Sequence, residues 1–529
     1  MKDQPFNRRA LLQSALGTGA FFLLPRLSFA QDAAEQQGAQ PFSWDSLTDT
    51  ARTLAAAPYQ PPEIADRDVL EQVDYDRHNE ISFRTDNTIW KDAEGSSRVQ
   101  MFFPGRYFKD PVRIFTVADG MATEVPFDLD LFDIPADNPA RALGQTKGFA
   151  GFRVQDPETD LDWMAFLGAS YWRTSGHTGQ FGLSTRGLAL NTAIPDGPEE
   201  FPIFTSFWLE RGEGSDMTAY ALMDSPSVTG AYRIVSHREN GVIQDVTARV
   251  FLRQNVERLG IAPLTSMFWY GKNSRHLAPD WRPEIHDSDG LQILTGSDER
   301  IWRPLNNPPH TMANAFQAPS LKGFGLMQRE RDFNEYQDDG VFYEKRASAW
   351  IEPQSDWGDG AVMLVELRTD DEIHDNIVAF WQPGEAAQAG TEHEFQYKLS
   401  WIDDAPISAP MGRFIATRLG AGGVPGQPRP KDVIKLVCDF SAPGLAPDDE
   451  PSLNITASDG HIFNEAVRPI VGTENWRATV DIDFAQMNTE QDNPIDLRIY
   501  IANKDMAVTE TLLLQLFPSQ LRKLLANTP

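Results

Sequence analysis

Residues 231–253 read AYRIVSHRENGVIQDVTARVFLR. Tyr232–Ser236 is aromatic and β-branched, and Val242–Phe251 alternates apolar and polar residues. Between them Asn240-Gly241 is the dipeptide of a type I′ turn, whose two positive φ angles match the twist of paired strands. The stretch therefore predicts a long β-hairpin. Similar runs precede it at Arg98–Phe103, Val112–Val117, Gly151–Val154, Trp163–Arg173, Phe181–Asn191 and Phe201–Glu210. Others follow at Ala361–Arg368, Ile377–Trp381 and Glu394–Trp401. Strands at this spacing, with few helical stretches, predict an all-β chain built on a large antiparallel sandwich. No short-period repeat suggests a propeller or solenoid.

Helical periodicity is confined to the start. Leu47, Ala51, Leu54 and Ala55 share one face of a helix over Trp44–Ala57, and Ile64–Gln72 reads as a second, shorter one. Before them, Lys2, Arg8 and Arg9, the apolar run Ala10–Leu24 and Ser28-Phe29-Ala30 form an export leader over residues 1–30. Arg8-Arg9 followed by Ala10-Leu11-Leu12 resembles the twin-arginine type, with Asn7 where Ser or Thr is usual. Residues 31–419 are expected to form the large domain. The run GAGGVPGQPRP at 420–430 reads as a linker. Strand-like runs at 434–440, 452–457, 477–483 and 495–501 predict a small immunoglobulin-like sandwich over 431–529.

The 529 residues carry a formal charge of −29. Nucleic acid and anionic lipid would be repelled, which points to a neutral ligand. After the leader, no segment reaches the roughly 18 apolar residues of a membrane span, so no stable membrane insertion is expected. The single cysteine, Cys438, lies in a strand-like run and reads as core. No His-x-x-x-His pair, phosphate loop, dinucleotide fingerprint or Gly-x-Ser-x-Gly is present, so neither metal nor cofactor is expected. Asp287-Ser288-Asp289-Gly290 resembles part of a calcium loop but lacks that loop's later glutamate.

The chemistry concentrates at 259–308. Phe268, Trp269, Tyr270 and Trp281 precede Asp287-Ser288-Asp289-Gly290, and Trp302, Arg303, Asn306 and Asn307 follow. Flat rings beside carboxylates and amides suit a sugar cleft, the rings for C–H faces and the polar groups for hydroxyls. The competing reading is that the rings are core and the acidic run is a solvated turn. A second acidic spot, His374-Asp375-Asn376, stands just before the strand Ile377–Trp381, where a rigid sheet can present a side chain. Trp269, Trp281, Trp302 and Trp381 are the candidate apolar wall. Arg346 and Asp289 are further candidates for contact with substrate.

These residues fall in longer runs: GFAGFRV (148–154), FLGASYWR (166–173), FGLSTRGLAL (181–190), EEFPIFTSFW (199–208), LGIAPLTSMF (259–268), IHDSDGL (285–291), WRPLNNP (302–308), KGFGLMQRERDF (322–333) and DNIVAFWQP (375–383). In that order they resemble the periplasmic glucan biosynthesis proteins G and D, over nearly the whole mature chain, and the leader resembles the D branch more. The resemblance implies a galactose-mutarotase-like sandwich joined to an immunoglobulin-like domain, located in the periplasm. It implies a part in making osmoregulated periplasmic glucans, as an inverting glycoside hydrolase or a transglycosylase on β-1,2-glucan. Carried over by motif, Asp375 matches the general acid, Asp287 the general base and Tyr343 a cleft tyrosine. The alternative is a non-catalytic glucan-binding protein that guides chains from an inner-membrane glucosyltransferase. One departure stands out: after Thr417–Gly423 the loop shrinks to Val424–Pro430, where the family carries a longer, tryptophan-containing one.

Overall fold

The computed structural model describes residues 38–526 apart from 145, 147, 196, 408, 409, 425 and 488–491. The expected leader, 1–30, lies outside the described residues. Strands dominate, as the alternation predicts. The hairpin at 228–252 forms in the expected register, with Ser236 opposite Gln244 and Tyr232 opposite Ala248. Asn240 and Gly241 both hold positive φ, +47° and +130°. Val242, Val246, Ala248 and Val250 point inward, and Asp245 outward.

Two large sheets face each other. The first runs, edge to centre, through Gln40–Pro41, Met121–Val125, Arg113–Ala118, Ile203–Arg211, Met217–Asp224, Val228–His237, Val242–Leu252, Glu392–Ile402, Ser348–Pro353, Gly323–Met327, Gly290–Leu294 and Arg300–Pro304. The second runs from Met312–Gln317 through Gly360–Glu366, Ile377–Pro383, Leu259–Ser266, Ser184–Arg186, Tyr171–Thr174, Asp162–Leu167 and Gly151–Gln155 to Arg98–Phe102. Aromatics fill the space between them. Phe152 and Phe166 stack with centroids 4.8 Å apart, and both meet Phe207 edge-on. Burying each such ring stabilises the fold by about 1.5–3 kcal/mol. Gln244, fully buried, accepts from the Trp172 indole at 3.0 Å and the Trp401 indole at 2.9 Å, which ties one sheet to the other.

The first helix spans Trp44–Ala55, with Ser43 and Ser46 forming a capping box. Leu47 and Ala51 pack on Leu222, Ala231 and Phe251, on the outer side of the first sheet. The second expected helix is a single turn, Arg67–Leu70.

The C-terminal unit is a sandwich of its own. Arg413–Ala421, Val433–Ser441, Asn475–Asp483 and His461–Pro469 make one sheet. Ser452–Ala457, Ile495–Asn503 and Thr511–Leu516 make the other. Leu436, Cys438, Phe440, Val480, Ile499 and Leu514 form its core. Residues 420–430 differ from the linker that their glycines and prolines suggested. Gly420 and Ala421 still pair with Lys435 and Ile434, so this stretch is the hairpin loop between the unit's first two strands. Nor is the unit loosely hung. Thr511 and Leu512 pair in parallel with Ile301 and Trp302, so its smaller sheet prolongs the first large sheet.

The WRPLNNP stretch makes that junction rather than a sugar rim. Arg303, buried, donates to Glu366 and to Gln515 Oε1, each at 2.9 Å. Asn306 donates its N–H to Glu366 at 2.7 Å and its amide to the Gln515 carbonyl at 3.2 Å. Trp302 sits in the core that the C-terminal unit shares. The Arg329 guanidinium lies 3.6 Å from the centre of its ring and pairs with Glu510 at 2.7 and 2.9 Å.

Candidate active site

Strand pairing brings the two acidic motifs to one place. Beyond Ser266 the chain forms the short strand Phe268–Tyr270, which pairs with Ile285–His286. Asp287 follows and donates its N–H to the Met267 carbonyl at 2.8 Å. The strand Ile377–Pro383 lies beside Leu259–Ser266, with Ile377 opposite Ser266. Asn376 then extends that pairing with its side chain. It accepts from the Phe268 N–H at 2.8 Å and donates to the Phe268 carbonyl at 3.0 Å and the Leu367 carbonyl at 2.9 Å. Asp375, one residue earlier, leaves the sheet as an exposed side chain on a fixed base.

Arg346 is the common neighbour. It forms an ion pair with the buried carboxylate of Asp287, and its charge also acts on Glu372 and Asp375. Burial nevertheless pushes its pKa down to about 10, against the attraction of those two carboxylates. Its Nε–H is buried with no acceptor among the described residues, which leaves a donor over for a ligand. The guanidinium carbon lies 4.1 Å from the centre of the Tyr343 ring. Tyr343 is buried and donates to Glu372 Oε2 at 2.6 Å. Burial first, and the Glu372 charge second, raise the tyrosine's pKa well above its ordinary value. Arg282 grips Glu372 with two hydrogen bonds of 3.0 Å, and also bonds Asp280 at 3.0 Å and Asp338 at 2.7 Å. Arg346 and Arg282 thus face the carboxylates of Asp280, Asp287, Asp338, Glu372 and Asp375.

A buried polar layer holds this arrangement from behind. His286 is fully buried, with Nδ1 2.9 Å from Gln328 Oε1 and Nε2 3.0 Å from Glu284 Oε2. Gln328 in turn donates to the backbone carbonyls of His286 and Tyr343 at 3.0 and 3.1 Å. One side chain so joins the Asp287 strand to the turn that carries Tyr343 and Arg346.

The sequence candidates divide accordingly. Asp287, Asp375, Tyr343 and Arg346 come together. Trp269 is half-buried, 5.5 Å from the Tyr270 ring and against the cluster that contains Tyr343. Trp281 is 69% exposed between Asp280 and Arg282, free to meet a ligand. Trp302 and Trp381 are corrections. Trp302 is in the C-terminal core, and Trp381 is wholly buried in the large core, 6.2 Å from Trp357. Neither can wall a cleft. Asp289 is also committed elsewhere: its carboxylate accepts from the backbone N–H of Arg329 at 3.1 Å and of Glu330 at 3.0 Å. Burial raises its pKa despite those donors. The sequence reading missed Arg282, Glu372, Gln328 and Asn376. Asn376 adjoins the Asp in DNIVAFWQP, which is a signal. Glu372 is one of 76 acidic residues and carries none.

Comparison with known proteins identifies relatives over almost the whole chain. Residues 42–516 match the family model described as "Periplasmic glucan biosynthesis protein, MdoG". The chain is 44% identical to "Glucans biosynthesis protein D 2" of Ralstonia nicotianae, across 97% of this chain and 98% of that one. It is 42% identical to "Glucans biosynthesis protein D" of Xylella fastidiosa, across 90% of each. The protein of the same name from Xanthomonas oryzae pv. oryzae is 40% identical, across 97% of this chain and 98% of its own. Among solved structures, the galactose mutarotase related enzyme of Lactobacillus acidophilus overlaps 49% of this chain and 94% of its own, with 10% identity and a TM-score of 0.21.

Proposed function

We propose, for a chain that belongs to the periplasmic glucan biosynthesis protein family, that it cleaves or transfers β-1,2-glucan by an inverting mechanism. The observation that carries this reading is the convergence of Asp287 and Asp375 on the buried guanidinium of Arg346, beside Tyr343. Inversion needs one carboxyl to protonate the leaving oxygen and another to activate the incoming water or sugar hydroxyl, with room for that nucleophile between them. Asp375, exposed at a strand start, is the acid in this reading. Asp287, held by backbone and guanidinium, is the base. Trp281 and Trp269 offer flat faces for flanking glucosyl units.

The family is periplasmic, and Arg8-Arg9 supports export by the twin-arginine route. Among the described residues no helix is long and apolar enough to cross a membrane. A second reading, a glucan-holding guide for a membrane glucosyltransferase, is favoured by one observation: the Asp287 charge is already met by Arg346. Purified mature protein incubated with linear β-1,2-glucan separates the two. Formation of shorter, cyclic or lengthened glucans supports the catalytic reading, and binding without any product supports the guide.

A further inference from the structure

His286 stands directly behind the cleft, and the chemistry above leaves it unused. Among the described residues it is the only histidine that is fully buried. Phe268 stacks on its ring at 5.5 Å, and Tyr336 meets it edge-on at 5.2 Å. Both ring nitrogens face an oxygen. Nδ1 lies 2.9 Å from Gln328 Oε1, and Nε2 lies 3.0 Å from Glu284 Oε2. The orientation of the Gln328 amide is fixed, because its nitrogen donates to two carbonyls, those of His286 and Tyr343. Its oxygen can only accept, so Nδ1 carries a proton.

The Nε2 side admits two arrangements. Either Nε2–H donates to an ionised Glu284, or a protonated Glu284 donates to a bare Nε2. The surroundings favour the first. The Lys272 ammonium lies 3.7 Å from the other Glu284 oxygen, and a cation at that range favours the carboxylate. Lys272 is shared with Glu330, so the further positive charge that the buried Glu284 needs is that of the ring. The buried Asp289 carboxylate lies close enough to feel a charge on the imidazole, which favours the same form.

From this ring, contacts reach each of the cleft groups. Asp287 is the next residue in the chain. Gln328 carries the ring's position to the Tyr343 carbonyl, and so to the turn that ends in Arg346. Phe268, stacked on the ring, supplies the backbone that Asn376 grips beside Asp375.

We propose that His286 carries both ring protons and, through its bonds to Glu284 and Gln328, is a positioning residue that holds Asp287, Arg346 and Asp375 in mutual register. The inference rests on the reading of this cleft as the site of glucan chemistry. Its test is NMR of the mature chain ¹⁵N-labelled at histidine and arginine, at neutral pH. The parent should show one histidine with two ring N–H signals protected from solvent exchange. Glu284→Gln, whose amide can donate to Nε2, should leave that ring with a single N–H. It should also move the Arg346 Nε–H signal, which is assigned by its loss in Arg346→Lys. On linear β-1,2-glucan its kcat should fall by about ten- to a hundredfold while KM stays within about twofold, since the reacting groups are displaced and the binding faces remain. Glu284→Asp, which draws the carboxylate back by one methylene, takes its place should the glutamine variant not fold, and should move the same Arg346 signal. If the parent forms no product, the catalytic reading fails, and the ring and Arg346 signals still decide the inference. A single ring N–H in the parent overturns it, as does a variant that moves neither the Arg346 signal nor the turnover.

Discussion

Asn376 closes a pair of hydrogen bonds on the backbone of Phe268, accepting at 2.8 Å and donating at 3.0 Å, as a strand residue would. A side chain here replaces a rung of the sheet, and the next residue back is Asp375. Asn376→Ala strands the buried Phe268 N–H and carbonyl and removes the bond to the more exposed Leu367 carbonyl. The expected cost is about 3 kcal/mol, read from urea unfolding. Turnover should fall further than stability predicts, because Asp375 loses its base. Stability unchanged within about 0.5 kcal/mol would show the amide to be incidental.

Asp375→Asn removes a proton donor from an exposed side chain. The fold and glucan binding should persist, while turnover drops by about 10²–10⁴-fold, the usual worth of general acid catalysis. Circular dichroism and product sizing on the same sample check both halves.

Trp281→Ala should leave unfolding within about 0.5 kcal/mol of the parent, since the ring is 69% exposed. Its predicted effect is on affinity for glucan, weakened several-fold, as expected for the loss of a stacked ring. Equal affinity in the two proteins would remove Trp281 from the cleft.

Glu510 is buried between Arg329 and the Phe414 N–H, at 2.7 and 3.0 Å from one oxygen. Glu510→Gln leaves the Arg329 charge without its partner at the junction of the units. A loss of about 3–5 kcal/mol is expected by urea unfolding, typical of a broken buried pair.

His276 sets a pH dependence. Its folded pKa, about 4, lies below its ordinary value of 6.5, so the unfolded chain binds the proton more readily. The contribution is complete above about pH 6.5 and is lost as pH falls toward about 4. The change is at most about 3 kcal/mol. His276→Phe should flatten the stability profile across that window, and an unchanged slope would contradict the assignment.

The reach of the sequence can be judged residue by residue. The 228–252 hairpin was legible because Asn240-Gly241 and the alternation of Val246, Ala248 and Val250 are local signals. That Asp287 and Asp375 would lie near one another was expected from their motifs, and both neighbour Arg346. Trp302 and Trp381 were not, because an indole in a strand reads alike whichever face of the sheet it meets. Residues 420–430 read as a linker through their glycines and prolines, but the same composition serves a loop within one sheet, and only the pairing of Gly420 and Ala421 with Lys435 and Ile434 tells the two apart. The roles of Arg303 and Asn306 depend on Glu366 and Gln515, distant in the chain, and only the folded junction brings them together.

The most direct test of the central claim is NMR of the first product anomer when purified mature protein meets linear β-1,2-glucan. The account predicts new reducing ends or transferred chains formed with inversion to the α configuration, and product from Asp375→Asn only at a rate lowered by about 10²–10⁴-fold. Product that first appears in the β configuration, or full activity in Asp375→Asn, would contradict it.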